Sequence, residues 1–317
     1  MKYLFFDVEC SNCRHGVGKI CEYGYVLTDE SFNILKQDDI PMSPGRGEEN
    51  YFYLKGRKYE KDLELSYEYD YYLSCPEFPH FYKQIKELME DKDTLCFAYS
   101  MENDIRHISN TCRRYHLDSI NYTCYDIQAL AGKYLEQDKR ISLFNACTKI
   151  VGPSSTVKLQ EHLSRDDAKM EMMIFEAICE LSKKQSVELL NGPNITRVNS
   201  VEFIANRIAT NKRKRQKAKG HDLYRSLLTD NDEIVNNPDL VGRRYNFSGE
   251  LKCHYDELVK AIDHVKELNG VFCNNLSKTD FFVTYDEANK EELKTRFSKP
   301  FEGKMITYEE LMNLKKG

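Results

Sequence analysis

Near its start the chain reads YLFFDVE, an aromatic-rich apolar run that ends in two carboxylates. Such a run predicts a buried strand, and residues i and i+2 of a strand leave on the same face, so Asp7 and Glu9 project together. Two carboxylates side by side at the end of an apolar strand repel each other unless a cation lies between them. Hard divalent ions such as Mg²⁺ take oxygen ligands and usually recruit one or two carboxylates together with substrate phosphates. The same pair can also sit in an ordinary salt bridge, so its meaning depends on what else the fold brings to that strand end.

The rest of the first 190 residues alternates strand and helix signals. ICEYGYVLTD follows as a second strand, separated from the first by the glycines of HGVG, which predicts a hairpin. Residues 79–91 (PHFYKQIKELMED) carry Phe81, Ile85 and Leu88 at helical spacing. LCFAYS reads as a buried strand running into the helix ENDIRHISNTCRRY, with Asp104 at the corner; INYTCYDI is a further strand and HLSRDDAKMEMMIFEAICELSKK a long helix. This alternation predicts an α/β layer. His162 and Asp167 are five residues apart, which turns a helix by about 500°, roughly 140° net. They do not share a helical face, so His162 must lie on the segment leading into the helix if both serve one site. Ser164 and the two aspartates are helix-start residue types and suit that placement.

At 317 residues the chain predicts about two domains. It is 31% charged and 41% hydrophobic, which excludes a fibre or a disordered tail, and no apolar run approaches the roughly 20 residues of a membrane span. MKYLFFDVEC meets its acidic pair too early for a secretory leader, and the 11 cysteines follow no framework spacing, so a reducing cytoplasm is the expected compartment. Cys10 and Cys13, with His15 and Cys21 nearby, have a metal-like spacing; a zinc knuckle there would need a fourth ligand and crowd the first strand, so unpaired thiols are expected. The net charge is −5, and residues 1–100 hold 12 basic against 19 acidic side chains. Yet six of the eight residues from Lys212 to Lys219 (KRKRQKAK) are basic, including Lys212, Arg213, Lys214 and Arg215. That run fits a solvated linker or helix face and also an electrostatic strip for a phosphate backbone. Between residues 50 and 73, tyrosines interleave with Lys55, Arg57 and Lys58, a pattern able to stack bases or to pack as a hairpin on the domain. The sequence loosens from 191 to 237, which reads as a basic linker, and a new strand–helix period starts at Arg244, giving a second unit over 238–317.

In order and context, FFDVEC, AYSMENDIRHI and HLSRDDAKM resemble the three motifs of the DEDDh (DnaQ-like) 3′→5′ exonucleases of the ribonuclease H-like superfamily. GKICEYGYVL stands where that family has an I-x-E-I strand, and YDIQAL where it has an intervening strand. The resemblance covers residues 1–190 and implies a mixed central sheet flanked by helices. It implies Asp7, Glu9, Asp104 and Asp167 as ligands of two divalent ions, Mg²⁺ or Mn²⁺, with His162 as the base that takes a proton from the attacking water. Asp166 is the alternative to Asp167 if the register slips by one. Ser100 and Asn103 depart from the family pattern and bear on substrate contact. The implied reaction is release of nucleoside 5′-monophosphates from single-stranded DNA 3′ ends, with RNA ends or a non-catalytic scaffold as rivals.

Residues 238–317 resemble a BRCT domain through NFSGEL, LNGVFCNNLSKTDFFVT and MITYEELMNL. The resemblance implies a small α/β unit that binds a replication or repair protein, or a DNA phosphate. Ser248 and Gly249 match the family's phosphate-gripping pair and Lys290 its lysine, with Lys278 and Lys294 leaving that register open. The family's late tryptophan is missing, and an aromatic or leucine of the last helix is expected to fill its space.

Overall fold

The structure, a computed structural model, describes residues 1–13, 18–45, 50–51, 65–137, 140–229, 242–296 and 301–315. The chain divides into two compact units, Met1–Ala205 and Asn206–Gly317.

In the first unit, strands β1 (Lys2–Cys13), β2 (Lys19–Asp29) and β3 (Ile34–Pro41) are antiparallel neighbours, and the short β4 (Asn50–Tyr51) pairs with the end of β1. Helices α1 (Tyr69–Ser74) and α2 (Phe78–Met89) precede β5 (Thr94–Ala98), which lies parallel to β1 and leads into α3 (Glu102–Arg114). Strand β6 (Thr123–Asp126) continues the parallel part and passes directly into α4 (Ile127–Tyr134), followed by α5 (Leu143–Ile150), α6 (Ser164–Ser182) and α7 (Ser186–Leu190). Strand β7 (Thr196–Asn199) closes the sheet antiparallel to β6, giving the order β3-β2-β1-β5-β6-β7. This is the mixed sheet with flanking helices expected of a ribonuclease H-like α/β fold.

Period-two alternation along β1 builds both cores at once. Tyr3 and Phe5 face one side, where they meet Phe97 and the α6 residues Ile174, Phe175 and Ile178; Leu4 and Phe6 face the other, with Ile85, Ile105 and Ile108. Phe5 stacks on Phe97 at 4.9 Å between ring centroids, a pairing worth about 0.5–1.5 kcal/mol beyond its buried area. Asp7 and Glu9 continue the Tyr3–Phe5 face, so the strand that builds the core also aims both carboxylates toward α6.

Helix α8 (Ser200–Thr229) contains the division between units, after Ala205. The stretch expected to be linker therefore holds a strand, β7, and a helix, and residues 206–229 belong to the second unit. Tyr224 is buried there against Phe247 and Phe272, with Leu223, Leu227 and Leu228 packed around it. Apolar anchors sit at both ends of α8: Phe203 and Ile204 pack on a core of the first unit, and Tyr224 with its leucines on that of the second; the turns between them, 210–222, are polar and carry no apolar stripe to read. Strands β8 (Arg244–Phe247), β9 (Val271–Phe272), β10 (Phe281–Thr284) and β11 (Lys304–Thr307) form an all-parallel sheet in the order β11-β10-β8-β9. Helices α9 (Tyr255–Glu267), α10 (Glu287–Arg296) and α11 (Tyr308–Met312) complete the unit, and Leu311 of α11 is fully buried in its core. Among the described residues no helix is long and apolar enough to cross a membrane.

Candidate metal centre

The site assembles where β1 ends. Asp7, Glu9 and Asp104 line one cleft of about 370 Å³ together with Ser100, Asn103 and His107. Asp104 comes from the first turn of α3, one turn past the β5 corner, and is 6% exposed. Ligand atoms of Glu9, His162 and Asp167 all lie within 4.8 Å of one another. The structure thus brings all five residues of the expected set to one strand end.

Three features hold the third motif in place. Gly24 of β2 is the register partner of Asp7, and a Cβ built on it would stand 2.0 Å from the backbone of Ser164 and Arg165. Only a glycine lets the N-terminus of α6 lie this close to the sheet. The N-cap position of α6 is Leu163, which has no capping side chain. The cap comes from the sheet: fully buried Glu22 accepts from the Ser164 N–H at 2.6 Å and from the Tyr72 hydroxyl at 2.6 Å. Burial, then the Asp39 charge, pushes Glu22 up to about 8. His162 precedes the helix with a left-handed φ of 64°, and its carbonyl accepts from the Ser66 hydroxyl at 2.5 Å. Its N–H donates to Asp167 Oδ2 at 3.1 Å, and its Nδ1 lies 3.3 Å from Glu9 Oε1. Asp166 turns aside, accepting from the Gln160 N–H and pairing with Arg165, so Asp167 is the residue that enters the group.

The electrostatics are lopsided. Among the described residues no lysine or arginine pairs with Asp7, Glu9, Asp104 or Asp167. Burial, then Glu9, raises Asp7 far above the usual carboxylate range, and the same two causes raise Asp104. Burial and Glu9 push Asp167 up to about 7, while the Glu9 hydrogen bond raises His162 to about 9. Asp7 Oδ2 is buried with no hydrogen-bond partner among the described residues. An orphaned buried carboxylate oxygen costs about 1–3 kcal/mol or more, and a divalent cation beside these oxygens removes both the orphan and the repulsion. The donor set, four carboxylates and an imidazole, fits hard oxygen-loving ions.

Two carboxylates escaped the sequence reading. Glu171 lies one turn after Asp167, is fully buried, and accepts from the Tyr99 N–H at 2.8 Å, tying α6 to the corner after β5. A glutamate inside the apolar run MEMMIF, four residues after Asp167, was the available signal. Asp126 caps α4 through the Gln128 N–H and also accepts from the N–H of Ser100, whose own φ is 65°. Ser100 and Asn103 thus line the cleft mouth, with Asn103 accepting from Arg106.

Elsewhere the expected residues scatter. Cys10 and Cys21 are free thiols; His15 lies outside the described residues, as does the side chain of Cys13. Of the tyrosine-rich stretch, residues 52–64 lie outside the described residues; of the rest, Tyr67 and Tyr72 bond Asp39 and Glu22 and so pack on the domain. Lys212, Lys214 and Arg215 are exposed on α8, while Arg213 forks onto both oxygens of Glu250 at 2.7 and 2.5 Å. In the second unit Ser248 is buried, its hydroxyl accepting from the Leu251 N–H at 3.1 Å, and nothing lies within 4 Å of a Cβ built on Gly249. Lys290 is engaged by Glu287 and Glu310, each at 3.0 Å.

No protein-family model matches this chain. No curated protein matches it either. Among solved structures it is similar to the nuclease domain of 3′hExo, a DEDDh family member bound to rAMP, at 15% identity and a TM-score of 0.44 over 58% of this chain and 94% of that one. It is similar to a 3′-exonuclease in specific recognition of the histone mRNA stem-loop 3′ end, at 15% identity and a TM-score of 0.43 over 56% of this chain. It is also similar to E. coli Exonuclease I in complex with a dA16 oligonucleotide, at 15% identity and a TM-score of 0.47 over 60% of this chain. The chain spans 63% of the histone mRNA enzyme and 43% of Exonuclease I. At such identity the likeness is one of fold.

Proposed function

We propose that this protein is a metal-dependent 3′→5′ exonuclease that releases nucleoside 5′-monophosphates from single-stranded nucleic acid, with DNA 3′ ends preferred. The observation that carries the reading is the convergence of Asp7, Glu9, Asp104, Asp167 and His162 on one strand end, with no lysine or arginine among the described residues to neutralise them. The four carboxylates would hold two divalent ions, Mg²⁺ or Mn²⁺. Bound there, such ions polarise the phosphoryl group and stabilise the charge that develops on the attacking and leaving oxygens.

The chain's own residues supply the remainder. His162 stands 47% exposed, 3.3 Å from Glu9. Its proton is held by the Glu9 hydrogen bond and by the Asp167 charge. Neutralising those two carboxylates removes that cause and returns the imidazole toward its ordinary range near 6.5, where it accepts a proton at neutral pH. Gly24 and Glu22 fix the helix start from which Asp167 projects, and Asp126 and Glu171 fix the corner that carries Ser100 toward Asp104. The preference for DNA rests on the BRCT resemblance of the second unit, a module suited to replication or repair partners.

The test is release of 5′-mononucleotides from matched single-stranded DNA and RNA oligomers, with Mg²⁺ or Mn²⁺, with EDTA, and with Asp7→Ala. Metal-dependent release that the variant loses, by about 10²-fold or more, is the expected result, faster on DNA. Faster release from RNA makes the protein an exoribonuclease. Inertness of the wild type on both polymers leaves a binding scaffold.

A further inference from the structure

The second unit holds a cation that no described residue neutralises. Lys252 is 6% exposed, and its ammonium lies 4.1 Å from the centroid of the Tyr224 ring with no carboxylate partner among the described residues. It is held there by the close approach of α8: a Cβ built on Gly220 would stand 2.2 Å from the Lys252 carbonyl oxygen, so glycine is required for the contact. Burial and the Lys217 charge together lower the Lys252 ammonium to about 8. Burial, then the charges of Lys252 and Lys217, lower His221, against the opposing charge of Asp222. Lys217 and His221 are an i,i+4 pair on α8, with Lys214 one turn earlier on the same side. Between 206 and 229 the one carboxylate is Asp222, which pairs with Arg225, and the neighbouring Glu250 is taken by Arg213 and His254.

A buried ammonium is unfavourable unless an anion meets it, and the ring face beneath it attracts the charge without neutralising it. Two lysine ammoniums and an imidazole flank the Gly220–Lys252 contact, and the nearby carboxylates Asp222 and Glu250 are engaged by arginines, so the lysines select an anion from outside the chain. Lys214 extends the Lys217–His221 face, and these three residues span about 10 Å of helix, longer than a single phosphate and suited to a row of them. We propose that Lys217, His221 and Lys252 form a notch that grips a backbone phosphate, through which the second unit holds a single nucleic-acid strand along α8. The choice of nucleic acid over another polyanion rests on the exonuclease reading.

The experiment measures anisotropy of a labelled single-stranded oligomer on the full chain in EDTA, across a salt series. Removing one cation from a backbone phosphate reduces the slope of log K against log salt by about 0.7, which is about fivefold in affinity at about 0.1 M salt. Lys217→Gln and Lys252→Met are each expected to show that reduction, equally on DNA and RNA. Lys86→Gln, which removes a cation paired with Glu90 at 2.9 Å, is expected to stay within about twofold of wild type. Hydrolysis of the p-nitrophenyl ester of thymidine 5′-monophosphate with Mn²⁺, a substrate too small to reach along a helix, is expected to be unchanged in all three. Unaltered affinity and slope in the folded Lys217 and Lys252 variants overturns the notch, as does an equal reduction from Lys86→Gln. Tighter capture of a phosphoserine peptide than of the oligomer at these residues overturns the nucleic-acid assignment. If the wild type leaves the ester intact while the oligomer still depends on Lys217 and Lys252, the exonuclease reading falls and the notch stands.

Discussion

The end of β1 and the face of α8 are opposite solutions to one electrostatic problem. At β1 the fold crowds carboxylates whose protonation is favoured by burial; at Lys252 it buries an ammonium whose deprotonation is favoured for the same reason. Around them the ordinary charges are paired: Lys2 with Asp91, Arg244 with Asp280, Lys86 with Glu90. Since an unpaired buried charge costs stability, two such clusters of opposite sign are where a partner from outside would act, cations at one and phosphates at the other on the two proposals above. The difference lies in how rigidly each is built. The acidic site hangs on the sheet and three helix or strand ends, whereas the basic one hangs on a single helix and one short turn.

The largest effect is expected from disturbing that rigidity. Gly24→Val puts side-chain atoms where the backbone of Ser164 and Arg165 lies. The N-terminus of α6 must move, breaking the Glu22 cap and carrying Asp167 and His162 away from Glu9. A displacement of about 1 Å costs about 10²-fold in rate, and overpacking costs about 1–3 kcal/mol. Mononucleotide release and thermal unfolding check both. Gly249→Ala in the second unit, with open space around it, is expected to change neither. Equal effects of the two substitutions would erase the contrast.

The next effect is a pair of pH slopes of opposite sign. Glu22 titrates near 8 in the fold and near 4.5 unfolded, so between those values the native state holds a proton the unfolded chain has lost. Its contribution is full below about 4.5 and is lost as pH rises through about 8, by at most about 1.4 kcal/mol per pH unit. Lys252 titrates near 8 in the fold against 10.5 unfolded, so its contribution is full above about 10.5 and is lost as pH falls through about 8. Urea midpoints of hydrogen-exchange protection, read separately for α6 and α9 peptides, are expected to fall with pH in the first unit and to rise between about 8 and 10.5 in the second. Glu22→Gln reduces the first slope, to which the raised Asp7, Asp104, Asp167 and His162 also contribute, and Lys252→Met flattens the second. Slopes unmoved by these variants would assign them to other groups.

Much of the acidic site was legible in sequence because its parts are local. The strand face that carries Asp7 and Glu9 follows from period two, and the angle between His162 and Asp167 alone required the histidine to precede the helix. What could not be read depends on contacts made across the fold. ILKQDDI is an edge strand, exposed over most of its length, so its pattern looks like loop. Glu22 reads as an interior strand residue until the Ser164 N–H reaches it. Glu171 is hidden by the apolar residues around it, and its role appears only when Tyr99 is placed beside it. Lys252 follows Leu251 in an unremarkable turn; its isolation comes from α8 lying over it, and the middle turns of α8, through the basic run, carry no apolar stripe and so read as linker.

The smallest effect separates a cation that is paired from one that is not. By resemblance Lys290 is the phosphate-gripping lysine of the second unit, yet it sits between Glu287 and Glu310, and Glu310 also receives the Thr307 N–H at the start of α11. An anion arriving there would have to displace two carboxylates and would face their charge. Lys290→Met is therefore expected to leave oligomer affinity and its salt slope unchanged. Its stability cost is about 1 kcal/mol: Lys290 is only 13% exposed, but both carboxylates remain solvated and Glu310 keeps its backbone donor. Anisotropy and urea unfolding measure both quantities on one sample. A drop in affinity matching that of Lys217→Gln would move the phosphate from α8 to the Ser248–Gly249 turn, and the contrast between filled and unfilled cations would then have to be redrawn around Lys290.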